Sequence, residues 1–157
     1  MGKGTKHKCD WKPTILQTAI DARRLYVHTV HIIHNPNVFK PERDYMEDTL
    51  KTIQKTALMI YMDVWKANRI NAALHPEKAS RRLALQADAL DKCHEMLALV
   101  ELAKEQFSVK ASKFWNWVGM AYHLGLRINA WHNSDLMQYG GKTTKKISPA
   151  TEEVAVG

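Results

Sequence analysis

The chain predicts an all-α fold, an antiparallel up-down-up-down four-helix bundle with flexible tails. Two observations carry that expectation. Nine positions, Met46, Leu50, Ile53, Ala57, Ile60, Val64, Ala67, Asn71 and Leu74, are spaced alternately four and three apart, and all but Asn71 are apolar. That spacing is the seam of a helix packed along its length against other helices, whereas a strand needs alternation with period two. No Gly or Pro interrupts residues 42–74, so the stretch predicts a rod of about 50 Å. A helix that long gains little from propensity alone, and partner helices must cover its stripe. The second observation is that three further amphipathic segments flank it through short links, which set neighbouring helices antiparallel.

Residues 1–11 are polar and basic and are expected to be flexible. Pro13 suits a first helical turn. Helix one then runs to His34 with Leu16, Ile20, Val27 and Val30 on one face, and Asn35-Pro36-Asn37 stops it. Pro41 opens helix two, with Glu42, Asp44 and Glu47 near its positive end. His75-Pro76 is the next break. Helix three carries the stripe Leu83, Ala87, Leu90 and Leu97, with Cys93 and Val100 beside it, and fades near Phe107. Ser108 is a good N-cap for helix four, which runs to Met137 before Gly140-Gly141 ends it. The bundle so read spans residues 12–138, and residues 139–157 form a second flexible tail.

Helix four carries two apolar stripes, Phe114, Trp117, Ala121, Leu124, Ile128, Trp131 and Ala111, Trp115, Val118, Tyr122, Gly125, Asn129. They lie about 100° apart. A corner helix needs one broad stripe, so the pair predicts burial on two sides, within the protomer and against another copy. Trp115, Trp117 and Trp131 are the expected interface residues. The alternative is a fully buried central helix in a monomer. Gly119 and Gly125 are costly in a helix and are expected to permit close backbone approach.

Composition narrows function less than fold. The 157 residues are 45% apolar and carry a net charge of +7, one domain with a proper core and a preference for anionic partners. The first twelve residues contribute four Lys against one Asp. Cys9 and Cys93 fit neither a disulfide framework nor a zinc spacing. No apolar leader and no run of 18 apolar residues is visible, so a cytoplasmic protein without a membrane span is expected. His28, His31 and His34 sit three apart on one helix face. A metal-dependent bundle enzyme would need recurring Glu-x-x-His pairs, which are absent, so these read as solvated or helix-terminal histidines. No phosphate loop, zinc-protease, nucleophile-elbow or C-x-x-C motif occurs. The expectation is a non-enzyme without metal or cofactor.

Basic residues are the better lead. Lys51, Lys55, Lys66 and Arg69 lie on helix two, Arg81 and Arg82 open helix three, and Lys110 and Lys113 open helix four with Arg127 near its other end. Cations at a helix start oppose the macrodipole, a local cost that a phosphate partner offsets. The alternative for each is ordinary solvated charge.

Several short pieces, taken in order, resemble the accessory variability determinant (Avd) proteins of diversity-generating retroelements, relatives of the four-helix-bundle proteins encoded in 23S rRNA intervening sequences. Phe39-Lys40-Pro41-Glu42-Arg43-Asp44-Tyr45 resembles the Phe-Pro-Lys-x-x-Arg-Phe/Tyr start of that family's long second helix, with Lys-Pro in place of Pro-Lys. Ala67-Asn68, Leu90, Leu97, Leu102-Ala103, Ser108-x-Lys110 and Gly125-x-x-Ile128-x-x-Trp131 follow. The likeness spans residues 14–137. It implies a prokaryotic or phage-encoded homopentamer that binds a reverse transcriptase, its template RNA and possibly DNA. It would support mutagenic cDNA synthesis and retrohoming without catalysis of its own. The alternative is an intervening-sequence-type bundle that binds structured RNA or another protein without a reverse transcriptase.

Overall fold

A computed structural model of the chain describes residues 16–40, 47–107 and 109–144. They form four helices, α1 (Gln17–Ile33), α2 (Glu47–Arg69), α3 (Ala79–Phe107) and α4 (Ala111–Thr144), with a 3₁₀ turn at Pro76–Lys78 ahead of α3. No strand occurs among the described residues. Each helix packs on its neighbours in sequence, and α1 closes the ring against α4. Cross-helix pairs show that neighbours run antiparallel. Thr29 of α1 meets Trp117 of α4, while Asp21, earlier on α1, meets Arg127, later on α4. Gln86 and Asp135, Cys93 and Gly125, and Lys104 and Phe114 order α3 against α4 in the same way. The fold is the expected four-helix bundle.

The seam of α2 supplies the centre of the core. Leu50, Ile53, Ala57, Ile60, Val64 and Ala67 are all buried. Met46 lies outside the described residues. The last two seam positions depart from the expectation, because α2 stops at Arg69. Asn71 turns the chain, its side-chain oxygen accepting from the Leu74 amide at 3.2 Å, a local side-chain to backbone bond that competes with helix. Leu74 is consequently 73% exposed. The rod is one turn and a half shorter at this end than the unbroken seam suggests.

Helices α1 and α3 bury faces rotated from those expected. Thr18, Ala22, Leu25, Thr29 and Ile32 point inward on α1, whereas Val27 is exposed. A stripe of apolar residues alone skips the inward threonines. Thr29 is tolerated inside because its hydroxyl accepts the Trp117 indole N–H at 2.9 Å, which satisfies both groups. On α3 the buried line is Leu83, Gln86, Ala89, Cys93, Met96 and Val100, with Leu90 and Leu97 only partly covered.

Helix α4 continues through Gly140-Gly141 to Thr144, past the expected end at Met137. Glycine lowers helix stability by about 1 kcal/mol but does not by itself impose a stop. Asp135 anchors this segment. Its Oδ2 accepts from Arg82 Nε and from Gln86 Nε2, each at 2.6 Å. Arg82 also donates to the Ile70 carbonyl at 2.7 Å, covering a carbonyl left orphaned by the end of α2. Ser108, the expected cap of α4, and Pro13, Pro41, Glu42 and Asp44 lie outside the described residues, as do residues 1–11. Among the described residues no helix is long and apolar enough to cross a membrane.

Candidate nucleic-acid interface

The α1–α4 contact is the loosest of the four around the bundle, and an open groove follows it. One depression of about 470 Å³ is lined by Asp21 and Arg24 of α1 and by Trp115, Asn116, His123 and Arg127 of α4, among others. A second adjoins it at Asn116 and is lined by His28, His31, Asn35, Ser112 and Lys113. A third, on the flank of α1, adds Arg23 and shares Arg24, His28 and His31. Asp21 is the only acid among these lining residues. It receives Arg127 Nε at 3.0 Å and stands 4.0 Å from an Arg24 nitrogen. Two guanidinium groups therefore share one carboxylate, and the pair leaves a net positive charge.

Gly119 lies on α4 where it lines the groove, and a Cβ built there would meet nothing within 4 Å. Gly119 therefore does not mediate close helix approach, contrary to the sequence expectation. Gly125 comes nearer to it, since its Cβ position lies 3.7 Å from Cys93 Cβ on α3. The Cys93 thiol is pushed up to about 12 by burial, so it is a packing residue without nucleophilic character at neutral pH.

His28 faces two of the depressions. Its Nε2 is buried and makes no hydrogen bond within the described structure. Burial first, and then the neighbouring His31, push its pKa below the usual imidazole value, so the ring is neutral near pH 7. His34 turns away, with Nδ1 2.8 Å from the Val30 carbonyl oxygen. The three histidines do not converge, and no group of three His, Cys, Asp or Glu among the described residues is placed to hold an ion.

The structure divides the nine basic residues singled out in the sequence. Lys113 and Arg127 line the groove, and the exposed Lys110 lies one turn before Lys113. Lys51, Lys55, Lys66 and Arg69 sit on the outer face of α2, away from the groove, where Arg69 stacks over the Trp65 ring at 4.7 Å. Arg81 is exposed at the start of α3. Arg82 is not available to a ligand: Asp135 and the Ile70 carbonyl occupy it, and its guanidinium stands 5.2 Å from the Trp131 ring centre. The macrodipole cost inferred for a cation at this helix start is offset internally.

The three tryptophans divide as well. Trp117 is 1% exposed within its own protomer, so it offers no surface to another copy, whereas Trp131 is half-buried against the core. Trp115, 63% exposed, is the most open of the three. It lines the groove, and the Lys104 ammonium lies 5.5 Å from its ring. Arg23, Arg24, His28, His31 and His123 were not among the predicted site residues. Their signal is spacing: 24, 28 and 31 lie four and three apart on the outer side of α1, a basic stripe beside the core stripe. A positive groove with an exposed aromatic at its edge suits a polyanion whose bases stack. Comparison with protein-family models, curated proteins and solved structures finds no match.

Proposed function

We propose that this protein is a non-enzymatic, nucleic-acid-binding accessory subunit of a retroelement reverse transcriptase. In this reading it is a cytoplasmic homo-oligomer, a pentamer by resemblance, that holds template RNA during mutagenic cDNA synthesis and retrohoming. The observation that supports the reading best is the α1–α4 groove. It gathers Arg24, Lys113 and Arg127 with three histidines against one carboxylate, and sets Trp115 beside them. Cationic side chains there meet phosphates, which gives affinity with little sequence preference. The retroelement assignment itself rests on the motif resemblance of residues 14–137. Copurification tests it: the tagged protein is expressed with a reverse transcriptase and template RNA encoded beside it. Retention of both supports the reading, and retention of RNA alone favours the intervening-sequence-type alternative. Retention of neither by a folded protein at low salt rejects the accessory-subunit reading and leaves the intervening-sequence-type alternative only as a binder of another protein.

A further inference from the structure

Trp115, Gly119, His123 and Arg127 stand four apart along α4, and all four line the larger depression of the α1–α4 groove. Residues four apart on a helix are neighbours one turn removed. Gly119 therefore breaks the row of side chains between an exposed indole and an exposed imidazole. A Cβ at this position would meet nothing within 4 Å, so no neighbouring helix closes the gap at that height. The half-buried Met120 and the buried Leu124 line the same depression and make its inner wall apolar. Cations stand at its two ends. Lys113 lies toward the start of α4, and Arg24 and Arg127 lie toward the later part, about 21 Å further along at 1.5 Å per residue. Asp21 accepts from Gln17 Nε2 at 2.9 Å and from Arg127 Nε at 3.0 Å. Its carboxylate is thus committed to holding Arg127 in place.

We propose that Gly119 opens a slot for one unpaired nucleobase of a single strand running along the groove. Trp115 and His123 are the rings that flank the base, and the cations at either end take the phosphates before and after it. The slot presupposes the nucleic-acid function proposed for the groove and specifies the form of polymer that enters it. Every base has a π-face that stacks on an indole or imidazole ring, and the bare helix surface at Gly119 leaves room for it. A strand fits better than a free nucleotide, because cations flank the slot on both sides while a mononucleotide carries its phosphates on one. A duplex keeps its bases paired and has none to insert. Asn116 is shared by the two adjoining depressions, and its amide both donates and accepts. It meets the edge of any base, so the slot selects unpaired over paired strands without choosing among the bases.

Filling the slot tests this. Helical side chains lean toward the helix N-terminus, so the leucine of Gly119→Leu projects toward Trp115, and the open space there accepts it without a clash. Fluorescence anisotropy at low salt compares two single strands of equal length and charge, an ordinary RNA and one with abasic positions throughout. The wild type holds the base-bearing strand about tenfold more tightly. Gly119→Leu loses that preference, while its affinity for the abasic strand and its salt slope stay unchanged, which also shows that the groove is still folded. Equal binding of both strands by the wild type, a preference that survives Gly119→Leu, or equal weakening of both strands by that variant overturns the slot and leaves the nucleic-acid groove standing. Binding of neither strand overturns both. A free nucleoside triphosphate that competes as well as the strand overturns the assignment to a polymer.

Discussion

The Trp117 indole nitrogen donates to the Thr29 hydroxyl oxygen across 2.9 Å in the buried centre of the α1–α4 contact. The bond ties α1 to α4 on the inner side of the groove. Phe39 stacks edge-on against the same indole, with ring centres 6.4 Å apart, and against Phe107 at 5.0 Å. Trp117→Ala is expected to cost about 3–5 kcal/mol, the usual result of emptying a buried tryptophan site. Thr29→Val keeps the shape but strands the indole N–H, at a cost of about 1–3 kcal/mol. Urea unfolding followed by circular dichroism measures both.

Asp135 is 6% exposed and holds Arg82 and Gln86 together. Asp135→Ala leaves the guanidinium in a nearly closed site without its counter-ion. A loss of about 3–5 kcal/mol is expected. The double variant Arg82→Met, Asp135→Leu removes both charges but strands the buried Gln86 amide and the Ile70 carbonyl, so it is expected to recover only part of that loss. A thermal-unfolding comparison of the two variants checks this.

Much of the fold was legible because α2 is apolar at seam spacing and Asn35-Pro36-Asn37 ends α1 where expected, while His75-Pro76 falls in the α2–α3 link although α2 itself stops earlier, at Arg69. What was not legible depended on partners distant in sequence. Thr29 is inward only because Trp117 lies opposite, and Arg82 is spent only because Asp135 arrives 53 residues later. Residue type alone shows neither. The same holds for the site: Lys113 and Arg127 were chosen on charge, but their groove exists only where α1 supplies Arg24, His28 and His31.

Gly119 faces the open groove, with nothing within 4 Å of a Cβ position. Gly119→Ala therefore gains helix propensity without a clash, and about 1 kcal/mol of added stability is expected. A raised urea midpoint with unchanged slope is the corresponding observation. A destabilised variant would contradict the open space at Gly119.

The lowered pKa of His28 sets a sign for pH. The unfolded chain protonates this ring near its ordinary value of 6.5, whereas the folded chain resists protonation until lower pH. Between those values the unfolded state holds more protons, so His28 reduces stability as pH falls below 6.5. His28→Gln is expected to flatten the stability profile in that interval. A polyanion in the groove favours the charged ring, so binding takes up protons, which calorimetry in buffers of different ionisation enthalpy detects.

The salt dependence of RNA binding tests the central claim, that the α1–α4 groove receives a nucleic acid. Fluorescence anisotropy with a labelled single-stranded RNA measures the dissociation constant of the wild type, of Arg24→Glu with Lys113→Glu, and of Trp115→Ala across a salt series. The wild type is expected to bind at low salt, with the logarithm of its association constant falling linearly against the logarithm of salt. The charge reversals lower both affinity and slope. Trp115→Ala lowers affinity, by about 1–3 kcal/mol per stacked base, and leaves the slope unchanged. Wild-type protein that is folded yet does not bind at low salt, or binding that none of the groove substitutions alters, would contradict the account.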